Sequence, residues 1–340
     1  MEIKINEDIS RKIATKEHNI HVQVGFNNHE RTLIAPSVML EPLSDEVQNR
    51  INERYTSIEN IIIKKLGKPF YSESGFILYC GDCTEFLETL KGSDLKVNLT
   101  VTSPPYNIGK EYETKTSVES YVNWCSKWIS QVYDLTSDTG SFWLNLGYFE
   151  VPNKCLCVPI PYLLWDKSPF YMLQEIVWQY GAGVASKRRL SPRNEKWVYY
   201  AKNPLEYTFN LDDIRDPNVK YPNQKKNGKY RCNPLGKNPS DVWEIPKVTT
   251  GINRSSKERT GHPAQFPLAV VERIILASSN QTELILDPFA GSCSVGVASL
   301  GLGRLFLGFE ARSDYCEMAV ERFRSFNREK DKSKLQQKLL

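Results

Sequence analysis

With 340 residues the chain is long enough for one large α/β domain with insertions or two modest ones, and it can bury a core without disulfide staples. Its 44 Lys+Arg against 40 Asp+Glu give a net charge of +4, too mild a bias to mark a partner, so any affinity for nucleic acid must come from where basic residues cluster. Eight scattered cysteines lack the dense spacing of a secreted scaffold, Met1 to Asp8 holds no apolar signal core, and no run is long enough to span a bilayer; a cytoplasmic protein with no membrane partner is expected.

Residues 1–70 read as an N-terminal extension. Val47, Ile51, Ile58, Ile61 and Ile62 recur at helical spacing over Ser44 to Lys65, which predicts an amphipathic helix packed on the core; DNA contact and dimerisation are alternative uses for it. Phe76 to Tyr79 predicts a strand ending in Gly81-Asp82, followed by a helix from Thr84 to Leu90. An acidic residue at a strand end beside a glycine is placed to meet a ligand. Cys80 and Cys83 form C-x-x-C and Cys155 and Cys157 a close pair, yet C-x-C lacks zinc-ligand spacing and no His-x-x-x-His accompanies it, so no metal is expected.

Val97, Leu99 and Val101 alternate with polar positions, the period of a strand, and the run ends in Thr102-Ser103-Pro104-Pro105-Tyr106-Asn107. Two prolines remove two backbone donors and stop the ladder, which leaves nearby carbonyls free to accept from a ligand. Ser103 adds a hydroxyl acceptor and Tyr106 a flat face, a combination suited to an exocyclic amine on a nucleobase. Ser117 then caps a predicted helix running to Tyr133, and Gly140 to Leu146, Glu175 to Tyr180 and Trp197 to Ala201 read as strands in an α/β rhythm.

Lys187, Arg188, Arg189 and Arg193 concentrate positive charge as a candidate phosphate rail. Over residues 204–261 prolines, Asn and Lys displace periodicity, predicting loop, with Lys225, Lys226, Lys229 and Arg231 interleaved with Tyr221 and Tyr230 as a nucleic-acid surface would be. Order returns with His262-Pro263-Ala264-Gln265-Phe266-Pro267 and a helix from Leu268 to Ser278. The strand Glu283 to Leu286 enters Asp287-Pro288-Phe289-Ala290-Gly291-Ser292-Cys293, and Arg304 to Phe309 is a strand ending in Glu310, before a helix from Ser313 to Phe323. A strand, a glycine turn and a helix N-terminus cradle nucleotide-like cofactors, and an acid at the next strand end is placed for ribose hydroxyls.

Over roughly residues 76–325 these stretches resemble the amino-group DNA methyltransferases that use S-adenosylmethionine, in the order where the catalytic motif precedes the cofactor motif. Ser103-Pro104-Pro105-Tyr106 matches the catalytic tetrapeptide, and Phe289-Ala290-Gly291-Ser292-Cys293 matches F-x-G-x-G, with Cys293 departing from the second glycine. The resemblance implies a Rossmann-like, doubly wound α/β sheet with an irregular target-recognition insertion. Residues 71–203 would be the catalytic part, 204–261 the target-recognition region, 262–325 the cofactor-binding part and 326–340 a charged tail. It also implies that Asp82, Thr102, His262, Pro263, Phe266, Asp287, Phe289, Gly291, Ser292 and Glu310 hold S-adenosylmethionine, Asp82 near the adenine and Glu310 on the ribose. Double-stranded DNA is the implied substrate, and a cognate restriction endonuclease the implied functional partner. Because Ser precedes Pro-Pro-Tyr, cytosine N4 is the expected target; adenine N6 is the alternative, and a catalytically inactive DNA-binding protein of the same fold a more remote one.

Overall fold

The computed structural model describes residues 45–338 apart from residues 112, 182, 184, 189 and 249–257. These residues form two compact units, the smaller containing Leu211–Pro239 and the larger the rest.

The larger unit is organised on one nine-stranded sheet. In chain order its strands are β1 (Tyr71–Glu73), β2 (Phe76–Cys80), β3 (Val97–Thr102), β4 (Thr136–Leu146), β7 (Tyr171–Gln179), β8 (Asn194–Ala201), β11 (Val242–Glu244), β12 (Leu284–Asp287) and β13 (Leu305–Glu310). In space they follow the order β1-β2-β13-β12-β3-β4-β8-β7-β11. The block β2, β13, β12, β3, β4 is parallel throughout, whereas β8 runs antiparallel to both β4 and β7. Strand order, not strand direction, reverses between the parallel neighbours β12 and β3: the strand after β3 lies to one side and the strand after β12 to the other. That border is the switch point at which open α/β sheets leave a crevice at their carboxyl edge.

Helices cover both faces, and alternation along the strands decides which. Phe76 lies between Phe306 and Phe323 of α7 (Ser313–Lys338), with ring centroids 5.2 and 4.6 Å away. Three residues further along β13, Phe309 points to the opposite face and meets Phe86 of α2 (Cys83–Leu90) at 5.2 Å. The α7 face also carries α5 (Leu268–Ser278) and α6 (Ser294–Gly301); the α2 face carries α3 (Val118–Leu135) and α1 (Asp45–Leu66). Ile51, Ile58 and Ile62 of α1 are buried in that core, which agrees with the helix expected there; the Val47 side chain and residues 1–44 lie outside the described residues.

Three differences from the sequence reading have local causes. The last helix runs on to Lys338 because no Gly or Pro follows Phe323 to stop it. An antiparallel hairpin, β5 (Tyr148–Val151) and β6 (Cys155–Pro159), followed by one turn of helix, α4 (Pro161–Leu164), occupies a segment with no clear period; the Cys155 and Cys157 side chains are both exposed on it. Val242–Glu244, read from the sequence as loop, adds parallel to β7 as the edge strand of the main sheet. Trp243 is buried there beside Trp143, and its indole N–H donates to the Ser240 carbonyl at 3.0 Å.

The smaller unit has little regular structure. A 3₁₀ turn at Leu211–Ile214 and a bridge between Asp216 and Lys237 precede and close a two-residue hairpin, β9 (Lys225–Lys226) and β10 (Lys229–Tyr230). Asn227 and Gly228 at its tip have φ of 52° and 75°, the left-handed pair that a tight hairpin turn demands. Gly236 could be nothing else: a Cβ there would sit 2.3 Å from the Asp216 carbonyl oxygen.

Candidate active site

The sheet delivers its chemistry to one edge. The carboxyl ends of β2, β3, β4, β12, β13 and β7 and the start of antiparallel β8 meet there. Asp82, Ser103–Tyr106, Asn145, Glu195, His262, Asp287, Phe289, Gly291 and Glu310 thereby line a single cleft, although in sequence they are spread over most of the chain.

At one end of the cleft the Ser103 hydroxyl donates to the Tyr106 hydroxyl at 3.0 Å, and Tyr106 in turn donates to Asn145 Oδ1 at 2.7 Å. Register explains the meeting: Thr102 of β3 pairs with Leu144 of β4, so the residue after each, Ser103 and Asn145, lie level. The Asn145 Nδ2 donates to the Lys196 carbonyl at 3.1 Å, which turns the amide oxygen toward the two hydroxyls. The Tyr106 ring rests over Gly147, where a Cβ would approach it to 2.8 Å, so the ring's seat requires glycine. Of the two proline carbonyls that the sequence reading leaves free for a ligand, one is occupied. The Pro105 carbonyl accepts from the Tyr121 hydroxyl at 2.8 Å, whereas the Pro104 carbonyl has no hydrogen bond among the described residues. Beyond the motif, Asn107 at φ 60° accepts from the Thr116 amide at 2.7 Å and donates to the Thr116 carbonyl at 2.9 Å, which ties down the loop into α3.

At the other end sit two carboxylates. Asp287, 2% exposed, accepts from the Thr102 hydroxyl at 2.6 Å and from the Phe289 amide at 3.1 Å; burial nevertheless pushes its pKa up to about 7. Glu310, raised by burial as well, accepts from the Gly291 amide at 2.9 Å and the Arg312 amide at 3.0 Å. Gly291 has φ 48°, and a Cβ there would come within 3.0 Å of His262 Nε2. His262 itself packs edge-on to Tyr315 at 4.5 Å. Burial, with Lys110 and Arg322 nearby, depresses its pKa to about 4, so its ring is neutral at pH 7. Cys293 adopts φ 59°, ψ 37°, the left-handed region that explains why glycine is expected there; its side chain is fully buried before α6.

The remaining members of the expected cofactor set divide between lining the cleft and supporting it. Asp82 caps α2, accepting from the Thr84 amide at 2.7 Å. Phe289 packs against Trp124 and Trp128 at 5.5 and 5.2 Å. Pro263 and Phe266 line the cleft, and the Phe266 carbonyl accepts from Ser294 at 3.1 Å. The Ser292 carbonyl accepts from Arg322 at 2.9 Å. Thr102 is fully buried behind Asp287 and does not line the cleft.

The basic residues expected to meet phosphate fall on two exposed segments. Lys187 and Arg188 are exposed in the loop between β7 and β8, Arg193 donates to the Pro192 carbonyl at 2.8 Å, and Arg189 lies outside the described residues. Lys225, Lys226, Lys229 and Arg231 are exposed on the hairpin of the smaller unit, with the Lys225 ammonium 4.6 Å from the centre of the Tyr230 ring.

Sequence reading passed over Asn145, Glu195 and Lys247. Glu195 Oε1 accepts from the Lys247 ammonium at 2.6 Å, and that ammonium lies 3.8 Å from the Tyr180 ring centre; both residues line the cleft beside Tyr106. One signal was available. Asn145 interrupts the buried run Phe142-Trp143-Leu144-Asn145-Leu146, and a buried amide needs partners.

A family model described as DNA methylase, of the N6/N4 methyltransferases, matches residues 97–321. The type II methyltransferase M.ScaI of Streptomyces caespitosus is 59% identical over 261 residues, covering 77% of this chain and 85% of that protein. Among solved structures, the cytosine-N4-specific PvuII DNA methyltransferase superposes with a TM-score of 0.59 at 19% identity, over 75% of this chain and 89% of that one. A putative DNA modification methylase from Thermus thermophilus, complexed with S-adenosyl-L-methionine, does so with a TM-score of 0.52 at 22% identity, over 73% and 93%. Those two likenesses bear on the fold, and they agree with the mostly parallel sheet described above. Sharing both this sheet and a family match across the catalytic and glycine-turn segments, the chain belongs to the N6/N4 family of DNA methylases.

Proposed function

We propose that the protein transfers the methyl group of S-adenosylmethionine to the exocyclic N4 amine of a cytosine within a short sequence of double-stranded DNA, as the modification enzyme of a type II restriction-modification system. The observation that carries this reading is the single cleft holding amine acceptors at one end and two carboxylates, the buried Asp287 and the half-buried Glu310, at the other.

The residues present suit the cofactor. Burial holds Asp287 and Glu310 above their ordinary pKa, so a cationic amino group or a ribose diol brought against them would favour their ionised forms. Gly291, hemmed in by His262, leaves backbone where a side chain would obstruct. Asp82, Phe289 and the Pro263 to Phe266 segment would complete the holding set. When bound, S-adenosylmethionine supplies an electrophilic methyl carbon whose bond to sulfur breaks as the amine nitrogen bonds to it.

The protein's own part concerns the amine. A cytosine N4 lone pair is delocalised into its ring and attacks poorly. Hydrogen bonds from its two N–H groups to Ser103 Oγ and the Pro104 carbonyl favour a pyramidal nitrogen with the lone pair free to attack. Such an amine lies inside a duplex, so the nucleotide must leave the stack, and Tyr106 offers the face that receives it. Lys187, Arg188 and the Lys225–Arg231 hairpin would hold the phosphate backbone, and the segment around 204–261 would read the sequence. Cytosine is chosen over adenine because Ser103 stands where, by the resemblance, adenine enzymes more often carry Asp or Asn.

Digesting DNA methylated by the purified protein to nucleosides tests this. N4-methylcytosine is expected. N6-methyladenine alone would overturn the choice of base and leave the amine chemistry standing, whereas 5-methylcytosine alone would overturn both.

A further inference from the structure

Methylating an amine creates a proton that must leave. The nitrogen gains a carbon and carries one hydrogen too many; none of the groups that would touch it is a base. Ser103 is a hydroxyl, the Pro104 carbonyl does not take up protons at neutral pH, and Asn145, the nearest polar side chain behind them, is an amide.

The hydroxyls do lead to a carboxylate. Ser103 Oγ donates to Tyr106 Oη at 3.0 Å, and Tyr106 Oη lies 3.5 Å from Glu195 Oε2 as well as 2.7 Å from Asn145 Oδ1. The Glu195 side chain is 17% exposed, near the start of β8, and among the described residues it is the carboxylate in hydrogen-bond reach of this chain of hydroxyls. We infer that Glu195 is the terminal proton acceptor of the methyl transfer, reached through Ser103 and Tyr106. The inference rests on the amine methylation proposed above.

The balance is simple. The amine N–H proton passes to Ser103 Oγ as the Ser103 proton passes to Tyr106 Oη and the Tyr106 proton passes to Glu195 Oε2. Both hydroxyls end as they began, one carboxylate becomes a carboxylic acid, and that acid returns its proton to solvent once product leaves. For the last transfer the Tyr106 O–H must turn from Asn145 to Glu195, and the 3.5 Å contact must shorten, as hydrogen bonds of catalytic groups do when substrate closes a site. Asn145 cannot compete for the proton, because its Nδ2 is committed to the Lys196 carbonyl and its oxygen belongs to an amide.

The charged and titratable groups facing Glu195 come from each element around it. Tyr106 follows β3, Tyr148 lies on β5, Tyr180 follows β7 and donates to Glu195 Oε1 at 3.4 Å, and Lys247 follows β11 and donates at 2.6 Å; Arg193 precedes β8 near Tyr180. Lys247 is the cation that pairs with this carboxylate, at 2.6 Å.

The test is single-turnover transfer of tritiated methyl groups from S-adenosylmethionine to unmethylated genomic DNA, measured across pH with the full chain. Glu195→Gln keeps the size and hydrogen-bonding reach of the side chain but takes up no proton. It should slow transfer by about tenfold or more, abolish the acidic limb of the pH profile and leave cofactor affinity and DNA retention unchanged. Glu195→Asp should recover part of the rate with the limb restored, and Lys247→Met, which keeps the acceptor, should retain the limb. Should Glu195→Gln fail to fold, Tyr106→Phe, which cuts the relay in its middle, must abolish the same limb. Full activity with an unaltered profile in Glu195→Gln would overturn the relay, as would a wild-type profile with no acidic limb, or equal losses in Glu195→Gln and Lys247→Met with the limb in place. Wild-type protein that methylates no amine would instead overturn the functional reading.

Discussion

The cleft of the larger unit and the hairpin of the Leu211–Pro239 unit are both polar, but they are built in contrary ways. In the cleft three carboxylates are withdrawn from solvent, Asp287 buried and Glu310 and Glu195 half-buried, and each is held by named partners: Asp287 by Thr102 and Phe289, Glu310 by Gly291 and Arg312, Glu195 by Lys247. On the hairpin Lys225, Lys226 and Lys229 are all exposed, and the Lys225 ammonium meets an aromatic face rather than a carboxylate. Under the proposed function a small charged ligand would be gripped by geometry prepared in advance, at the cost of withdrawing charge from water. A polyanion would be met by cations left in water, whose contribution comes largely from released counterions and needs no fixed geometry. Substitutions in the first region should therefore give sharp, specific losses or gains, and those in the second graded and unspecific ones.

The sharpest loss is expected at Glu310. Glu310→Ala should weaken S-adenosylmethionine binding by about tenfold or more by calorimetry, since a hydrogen bond to a charged acceptor contributes roughly 1.5–3 kcal/mol. Unchanged affinity would reduce Glu310 to a brace for the Gly291 turn. Asp287→Asn should do the reverse to the cofactor-free fold and stabilise it. The Asp287 carboxyl titrates at about 7 in the folded chain against an ordinary 3.8. Between those values the unfolded chain has released a proton that the folded chain still holds, so stability falls as pH rises from about 4 and levels off above about 7. The asparagine variant should match wild type near pH 4 and unfold several degrees higher at pH 8, where each kcal/mol is worth about 1–2 °C in a protein of this size. A melting difference that does not grow with pH would mean that Asp287 is not a stored cost. The mildest effect belongs to the hairpin. Lys225→Ala with Lys226→Ala should lower affinity for all DNA sequences alike and make the dependence of log affinity on log salt shallower by about 0.9 for each phosphate contact removed. A salt slope identical to wild type would detach the hairpin from the phosphate backbone and blur the contrast between the regions.

Most of the sheet could be read from period and punctuation, because its parallel strands are short apolar runs that end in Gly, Pro or an acid. The ends of β2, β3, β12 and β13 could be named for that reason, and they carry Asp82, Ser103, Asp287 and Glu310. Asn145, Glu195 and Lys247 could not be found in this way. Asn145 reaches Tyr106 through the register of β3 on β4, Glu195 through that of β4 on β8, and Lys247 reaches Glu195 through that of β11 on β7, and register is a property of pairs of strands rather than of any one segment. The Lys196 neighbour pairs with Glu175, so in sequence the Glu195-Lys196 dipeptide looks like an ordinary solvated strand end. β11 escaped for a related reason: three residues amid prolines have no period to show, and Trp243 is buried only once β7 and β4 lie beside it.

The placement of β13 and β12 between β2 and β3 bears on how the chain is made. Synthesis delivers β2 and β3 first, separated in the sheet by a gap two strands wide, and the strands that fill it come about 180 residues after β3. Until Leu284–Glu310 has emerged, β2 and β3 present open, apolar edges of the sort that pair with other chains. The central sheet closes only after residues 284–310 have been synthesised, by contacts between distant parts of the chain, so folding should be slow relative to translation and most exposed to aggregation just before those strands emerge.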